Sequence, residues 1–169
     1  TNAPLKDASV TLGNVTGNQG TVVTNIAKVV NGGITAISLN ATQASSVITS
    51  AALSSGSLTV SSAITSGQAD FVTNVGKIAN NGFTGITLTE TQFNTLVSSS
   101  LAKLAADSVT IGTVSGTSKV NVLAQGAKIA DGGITSITIT AAELNTFVSA
   151  NSADPFASAS IELGAVSDN

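Results

Sequence analysis

The feature that most constrains this chain is an internal repeat. Three anchors recur at intervals of about 50 residues: GGIT at Gly32–Thr35, GFTG at Gly82–Gly85 and GGIT at Gly132–Thr135. AKVV, GKIA and AKIA precede them, ending at Val30, Ala79 and Ala130, and AISLNATQ from Ala36, GITLTETQ from Gly85 and SITITAAE from Ser136 follow. Chance similarity does not hold a register over about 20 residues in three places. The units fall at about 8–56, 57–106 and 107–158, with the start of a fourth at 159–169, and 1–169 reads as a single repeat domain.

Each unit reads as strand, helix, strand, helix. First-type strands are Ser9–Gly13, Ser57–Ser61, Ser108–Gly112 and Ser160–Gly164, where apolar residues alternate with small polar ones. Second-type strands are Thr35–Leu39, Thr84–Leu88 and Thr135–Ile139, with the same alternation. The spacing predicts first-type helices over about Thr21–Asn31, Ala69–Asn80 and Lys119–Asp131, because Val22, Val23, Ile26, Val29 and Val30 share one helical face. Gly33, Gly82 and Gly133 suit the left-handed residue that ends a helix, with Ile34, Phe83 and Ile134 as the accompanying apolar contact. The second-type helices open on capping-box spacing: Asn40 with Gln43, Thr89 with Gln92, and Thr140 with Glu143.

Strands joined through helices are most simply parallel, with right-handed crossovers. The expected fold is therefore α/β, a solenoid-like array of strand–helix–strand–helix units with mostly parallel strands and the helices on one side. Val10, Leu12, Ile37, Leu39, Leu58, Val60, Ile86 and Leu88 form one sheet face, and small residues such as Thr11, Ala36, Ser38, Thr59 and Thr87 an open one. Two sheets, one per strand type, are the alternative.

The two ends are in the same phase. TNAPLKDASVTLGNV at Thr1–Val15 matches SADPFASASIELGAV at Ser152–Val166 at Pro4/Pro155, Ala8/Ala159, Ser9/Ser160, Leu12/Leu163, Gly13/Gly164 and Val15/Val166. Neither end reads as a polar cap, so each leaves a backbone edge open to pairing. Ser9, Val10 and Leu12 at one end, and Ser160, Ile161 and Leu163 at the other, are the candidate end-to-end assembly strands. The lack of any Met suggests that Thr1 follows processing or a cut from a longer chain.

Composition removes most chemistries. Cys, His, Met, Trp, Tyr and Arg are all absent. That leaves no disulfide, no thiol, no usual transition-metal ligand and no histidine base. Nine acidic residues show no calcium-loop spacing, and the repeat gives no reason for a catalytic carboxylate pair. We expect no enzyme activity, no cofactor and no metal. Six lysines against nine acids give no nucleic-acid footprint, and no apolar run reaches the length of a membrane span. Ser and Thr supply 46 of 169 residues, so the chain is built economically from small side chains.

Lys28, Lys77 and Lys128 occupy one equivalent slot. They read either as a cationic interaction row, for an anionic glycan or a neighbouring subunit, or as solvated lysines favoured at a helix C-terminus; the second is the stronger reading.

The segments LTVSSAITSGQADFVTNVGKIANNGFTGITLTETQFNTLVSS and GAKIADGGITSITITAAELNTFVS resemble a repeat of very large secreted bacterial proteins, the adhesin-like, RTX-associated and surface-layer-like exoproteins. The resemblance covers nearly the whole chain and implies a structural or adhesive role outside the cell. The glycine–aspartate nonapeptides of that group are absent, and no functional residues carry over. The expected role is a non-enzymatic structural protein of the cell exterior. It would be a subunit or array segment of a surface layer, filament or matrix that continues head-to-tail through copies of itself. The alternative is an adhesin module that binds a cell-surface glycan through its Ser/Thr face or lysine row.

Overall fold

The computed structural model describes residues 5–7, 9–99, 103–116, 119–150, 156 and 161–164. The chain is α/β and forms two compact units, Thr1–Thr84 and Gly85–Asn169, each with one parallel four-stranded sheet. The unit boundary falls inside the second sequence repeat, at the GFTG anchor.

In the first unit the order is β1 (Val10–Val15), α1 (Gln19–Thr24), a 3-10 turn (Ile26–Lys28), β2 (Val29–Leu39), α2 (Ala41–Val47), β3 (Leu58–Val60), α3 (Gln68–Thr73), a second 3-10 turn (Val75–Lys77) and β4 (Ile78–Phe83). The second unit has β5 (Ile86–Leu88), α4 (Glu90–Ser99), β6 (Val109–Val114), α5 (Lys119–Ala124), a 3-10 turn (Gly126–Lys128), β7 (Ile129–Ile139), α6 (Ala141–Ala150) and β8 (Ile161–Leu163). Sheet orders are β1-β2-β3-β4 and β5-β6-β7-β8. The two strand types therefore alternate within each sheet, which disposes of one sheet per type.

Second-type helices begin where the spacing requires. All three capping boxes are closed from both sides: Gln43 N donates to Asn40 Oδ1 at 2.9 Å, Gln92 N to Thr89 Oγ1 at 3.2 Å and Glu143 N to Thr140 Oγ1 at 3.3 Å, with the return bonds to Gln43, Gln92 and Glu143 also made. Each box satisfies two of the four amides that a helix start leaves unpaired.

First-type helices are much shorter than the apolar spacing predicts. The α-helix stops at Asn25 and Asn74, whose side-chain amides donate back to the carbonyls of Thr21 at 2.9 Å and Asp70 at 3.0 Å. An amide that competes for the backbone carbonyl favours ending these two helices, and one 3-10 turn follows; α5 ends at the same slot, before Gln125, without such a bond. The chain is then already extended at Val29, Ile78 and Ile129. The second-type strand thus starts six residues earlier than Thr35 or Thr135. Val29 and Val30 are β-branched neighbours that suit a strand, although their spacing also fits a helical face.

The glycine pair does something other than end a helix. Between Val10 and Leu12 on β1, the partner on β2 jumps from Val29 to Ile34, so three extra residues bulge out. The same bulge separates Ile78 from Phe83 and Ile129 from Ile134. Its left-handed residue is Gly32 (φ 65°), Asn81 (φ 56°) or Gly132 (φ 67°), one place before the glycine that sequence reasoning chose. Gly33, Gly82 and Gly133 are required for closeness instead: a Cβ there would lie 2.6–2.7 Å from the carbonyl oxygen three residues back. Ile34, Phe83 and Ile134 are buried strand residues rather than helix-end contacts.

The core is the inward row of each sheet closed by the helices. β2 and β7 share one burial sequence, with Val29/Ile129, Ile34/Ile134, Ile37/Ile137 and Leu39/Ile139 inside and Thr35, Ala36 and Ser38 or Thr135, Ser136 and Thr138 outside. Each such aliphatic contributes about 1.5–3 kcal/mol on burial. Phe71 and Phe83 meet edge-on in the first unit at 6.3 Å, and Phe147 and Phe156 in the second at 4.8 Å.

Candidate functional site

The three slot lysines sit alike at the last residue of a 3-10 turn, each half-buried, but they do not have the same partners. Lys77 Nζ donates to the carbonyls of Ile48 at 2.9 Å and Ser50 at 2.8 Å, where α2 ends. Lys128 Nζ donates to the carbonyl of Leu104 at 2.7 Å, in the segment after α4. Each therefore closes the joint between one sequence copy and the copy before it. A cation on the carbonyl end of a helix is favoured by the helix dipole. Burial lowers the Lys77 pKa, the cost that these two carbonyl bonds offset. Among the described residues Lys28, at the same slot in the first copy, donates only to Asn25 Oδ1 at 3.1 Å. The sequence row is thus two structural bolts and one lysine that holds no preceding carbonyl among the described residues.

Burial around the slot follows the same division. Phe71, Val72 and Val75 in the second copy are buried, as are Val122 and Leu123 in the third; their first-copy counterparts Val22, Val23 and Ile26 are half-exposed. Leu58 and Val60 are fully buried, and so are Val109 and Ile111, while Val10 and Leu12 are half-exposed. An apolar groove runs there, lined by Leu5, Val10, Leu12, Val22, Lys28 and Val29.

The last copy is exposed at other positions. Ile48, just after α2, is 0% exposed and Val97, at the same place on α4, is half-exposed, but Val148, at the same place on α6, is 62% exposed. Ile161 and Leu163 of β8 are 40% and 45% exposed. Yet β8 is seated in the standard register: Ile137, Thr138 and Ile139 pair with Ile161, Glu162 and Leu163, as Ile37, Ser38 and Leu39 pair with Leu58, Thr59 and Val60. Phe156 bridges Ile134 as Leu53 bridges Ile34. Of the candidate assembly residues, Ser9, Val10, Leu12, Ile161 and Leu163 lie at these two ends; Ser160, with the matches at Pro4/Pro155, Ala8/Ala159 and Val166, lies outside the described residues.

Sequence reasoning passed over one polar cluster in the second unit. Lys119 Nζ donates to the Thr138 carbonyl at 2.8 Å and stands 3.9 Å from Glu143, while Thr138 Oγ1 donates to Glu162 at 3.4 Å. No repeat position announces it, because Lys119 has no lysine counterpart in the other copies. Glu143 also accepts from Thr140 N at 2.8 Å, and that bond, helped by Thr140 Oγ1 and Lys119, holds its carboxyl below the usual range. Glu90 is used otherwise, accepting from Ser115 N at 2.6 Å. Among the described residues no group of three or more acidic side chains could hold a metal ion, and no helix is long and apolar enough to cross a membrane.

No protein-family model, curated protein or solved structure matches the chain.

Proposed function

We propose that this chain is a non-enzymatic structural protein of the cell exterior: a solenoid-like array segment whose end faces join head-to-tail to further units of its own kind, as in a surface layer, filament or matrix. One observation carries the reading. Most of the apolar slots that are buried at the joints between sequence copies stand half-exposed in the first copy or exposed in the last. A face of that kind is an interaction surface by the usual physical criterion, and here the internal joints define what would fit it. The sparse charge, the absence of histidine and cysteine, and the resemblance to repeats of secreted bacterial exoproteins point the same way.

Glycan binding is the second reading, and the exposed residues Thr35 and Ser38 in the first unit, and Thr135 and Thr138 in the second, favour it. The lysine half of that reading is weakened by the carbonyl bonds of Lys77 and Lys128. Negative-stain electron microscopy of the purified chain separates the readings. Linear or sheet-like polymers support the structural role; dispersed particles at high concentration, with hits on a glycan array, overturn it.

A further inference from the structure

In both sheets every first-type strand has second-type neighbours only: β1 on β2, β3 between β2 and β4, β6 between β5 and β7, β8 on β7. A copy arriving edge to edge would set β8 directly against β1, two first-type strands side by side. The internal joints offer a different solution. At each of them a single first-type strand serves both copies: Leu58 pairs with Ile37 behind and Ile78 ahead, and Val109 pairs with Ile86 behind and Ile129 ahead. β8 has made the backward half of that contact, and β1 the forward half, Val10 with Val29 and Leu12 with Ile34.

We infer that copies join by strand exchange: β8 of one copy takes the β1 slot on β2 of the next, setting Ile161 against Val29 and Leu163 against Ile34, while β1 leaves. The two strands are the same strand in sequence, SVTLG at Ser9–Gly13 and SIELG at Ser160–Gly164, so the slot accepts either. Exchange also completes the lysine slot. With β8 in place, the end of α6 comes to the position that the end of α2 holds beside Lys77, so Lys28 gains carbonyl acceptors and Val148 is covered. Lending a strand to an incomplete sheet is an established mode of chain-to-chain recognition, with backbone bonds giving affinity and side-chain pockets giving register. The inference rests on the head-to-tail reading above and names its joint.

The chain has no cysteine, so an engineered pair reports the joint cleanly. In the full chain carrying V29C and I161C, mild oxidation is expected to give a covalent ladder on a denaturing gel. Adding Leu12→Asp, which loosens the resident β1, raises the ladder yield several-fold; adding Leu163→Asp abolishes it. A ladder from V10C with I161C in place of V29C, or a yield lowered by Leu12→Asp, overturns exchange and leaves head-to-tail assembly standing. A peptide of residues 156–166 carrying I161C, offered to the full chain carrying V29C, isolates the slot: cross-linking to the peptide without any ladder supports the slot and overturns the polymer. No cross-link to peptide or chain overturns exchange outright.

Discussion

The ammonium of Lys77 lies 2.9 Å from the carbonyl oxygen of Ile48, and through that bond one sequence copy holds the helix end of the copy before it. Replacing Lys77 by Met removes two charge-assisted bonds at a half-buried site and is expected to cost about 1–2 kcal/mol in urea unfolding. Lys28→Met, which breaks only a local bond to Asn25, should cost about 0.5 kcal/mol or less. Equal losses would show that the slot is not a joint.

The bulge glycines separate two kinds of constraint. Gly32 holds a left-handed conformation that Asn81 also adopts, so Gly32→Asn should cost less than about 1 kcal/mol. Gly33→Ala puts a methyl 2.7 Å from the Val30 oxygen and 2.9 Å from Val29 Cγ1, and a loss of about 2 kcal/mol or more is expected. Thermal melts of the two variants decide it; a milder effect at Gly33 than at Gly32 would contradict this account.

Acid should loosen the start of α6. The Glu143 carboxyl has a lower pKa folded than unfolded, because Thr140 N, Thr140 Oγ1 and Lys119 favour its ionised form. Its stabilising contribution is therefore complete above the ordinary carboxylate range and is lost as pH falls through the lowered folded value. Glu143→Gln keeps the acceptor, since Gln43 and Gln92 occupy that place in the other copies. The melting temperature of the variant should fall less steeply than that of the parent between about pH 6 and pH 3. Parallel slopes would remove Glu143 from the acid response.

Much of this molecule was legible from the repeat. The capping pairs at Asn40, Thr89 and Thr140 were readable because they are local and their chemistry is fixed by spacing. The inward rows were readable because alternation sets them. The end of α1 was not, since Val29 and Val30 fit a helical face and a β-branched strand equally. Nor was the glycine bulge, because a left-handed Gly32 and a crowded Gly33 differ only in what surrounds them. The lysine row was found as a pattern but not as a function. Lys77 meets carbonyls that lie 27 and 29 residues away, and no local pattern contains such a contact.

The end faces should be dispensable for the folding of one copy and necessary for joining two. Val148 is 62% exposed, so Val148→Asp should change the stability of the dispersed chain by about 0.5 kcal/mol or less. In an assembly it would place a charge against the Val22 and Ile26 face and block the joint. Lys28→Met should likewise weaken assembly far more than it weakens the fold.

The most direct test is sedimentation velocity of the full chain across a wide concentration range, beside Val148→Asp and Leu163→Asp. The unmodified chain is expected to form a concentration-dependent series of larger species, and both variants to sediment as single copies, Val148→Asp with its melting temperature unchanged. A chain that stays a single copy at every concentration, or assemblies that both variants leave intact, would contradict the claim that these end faces are joints.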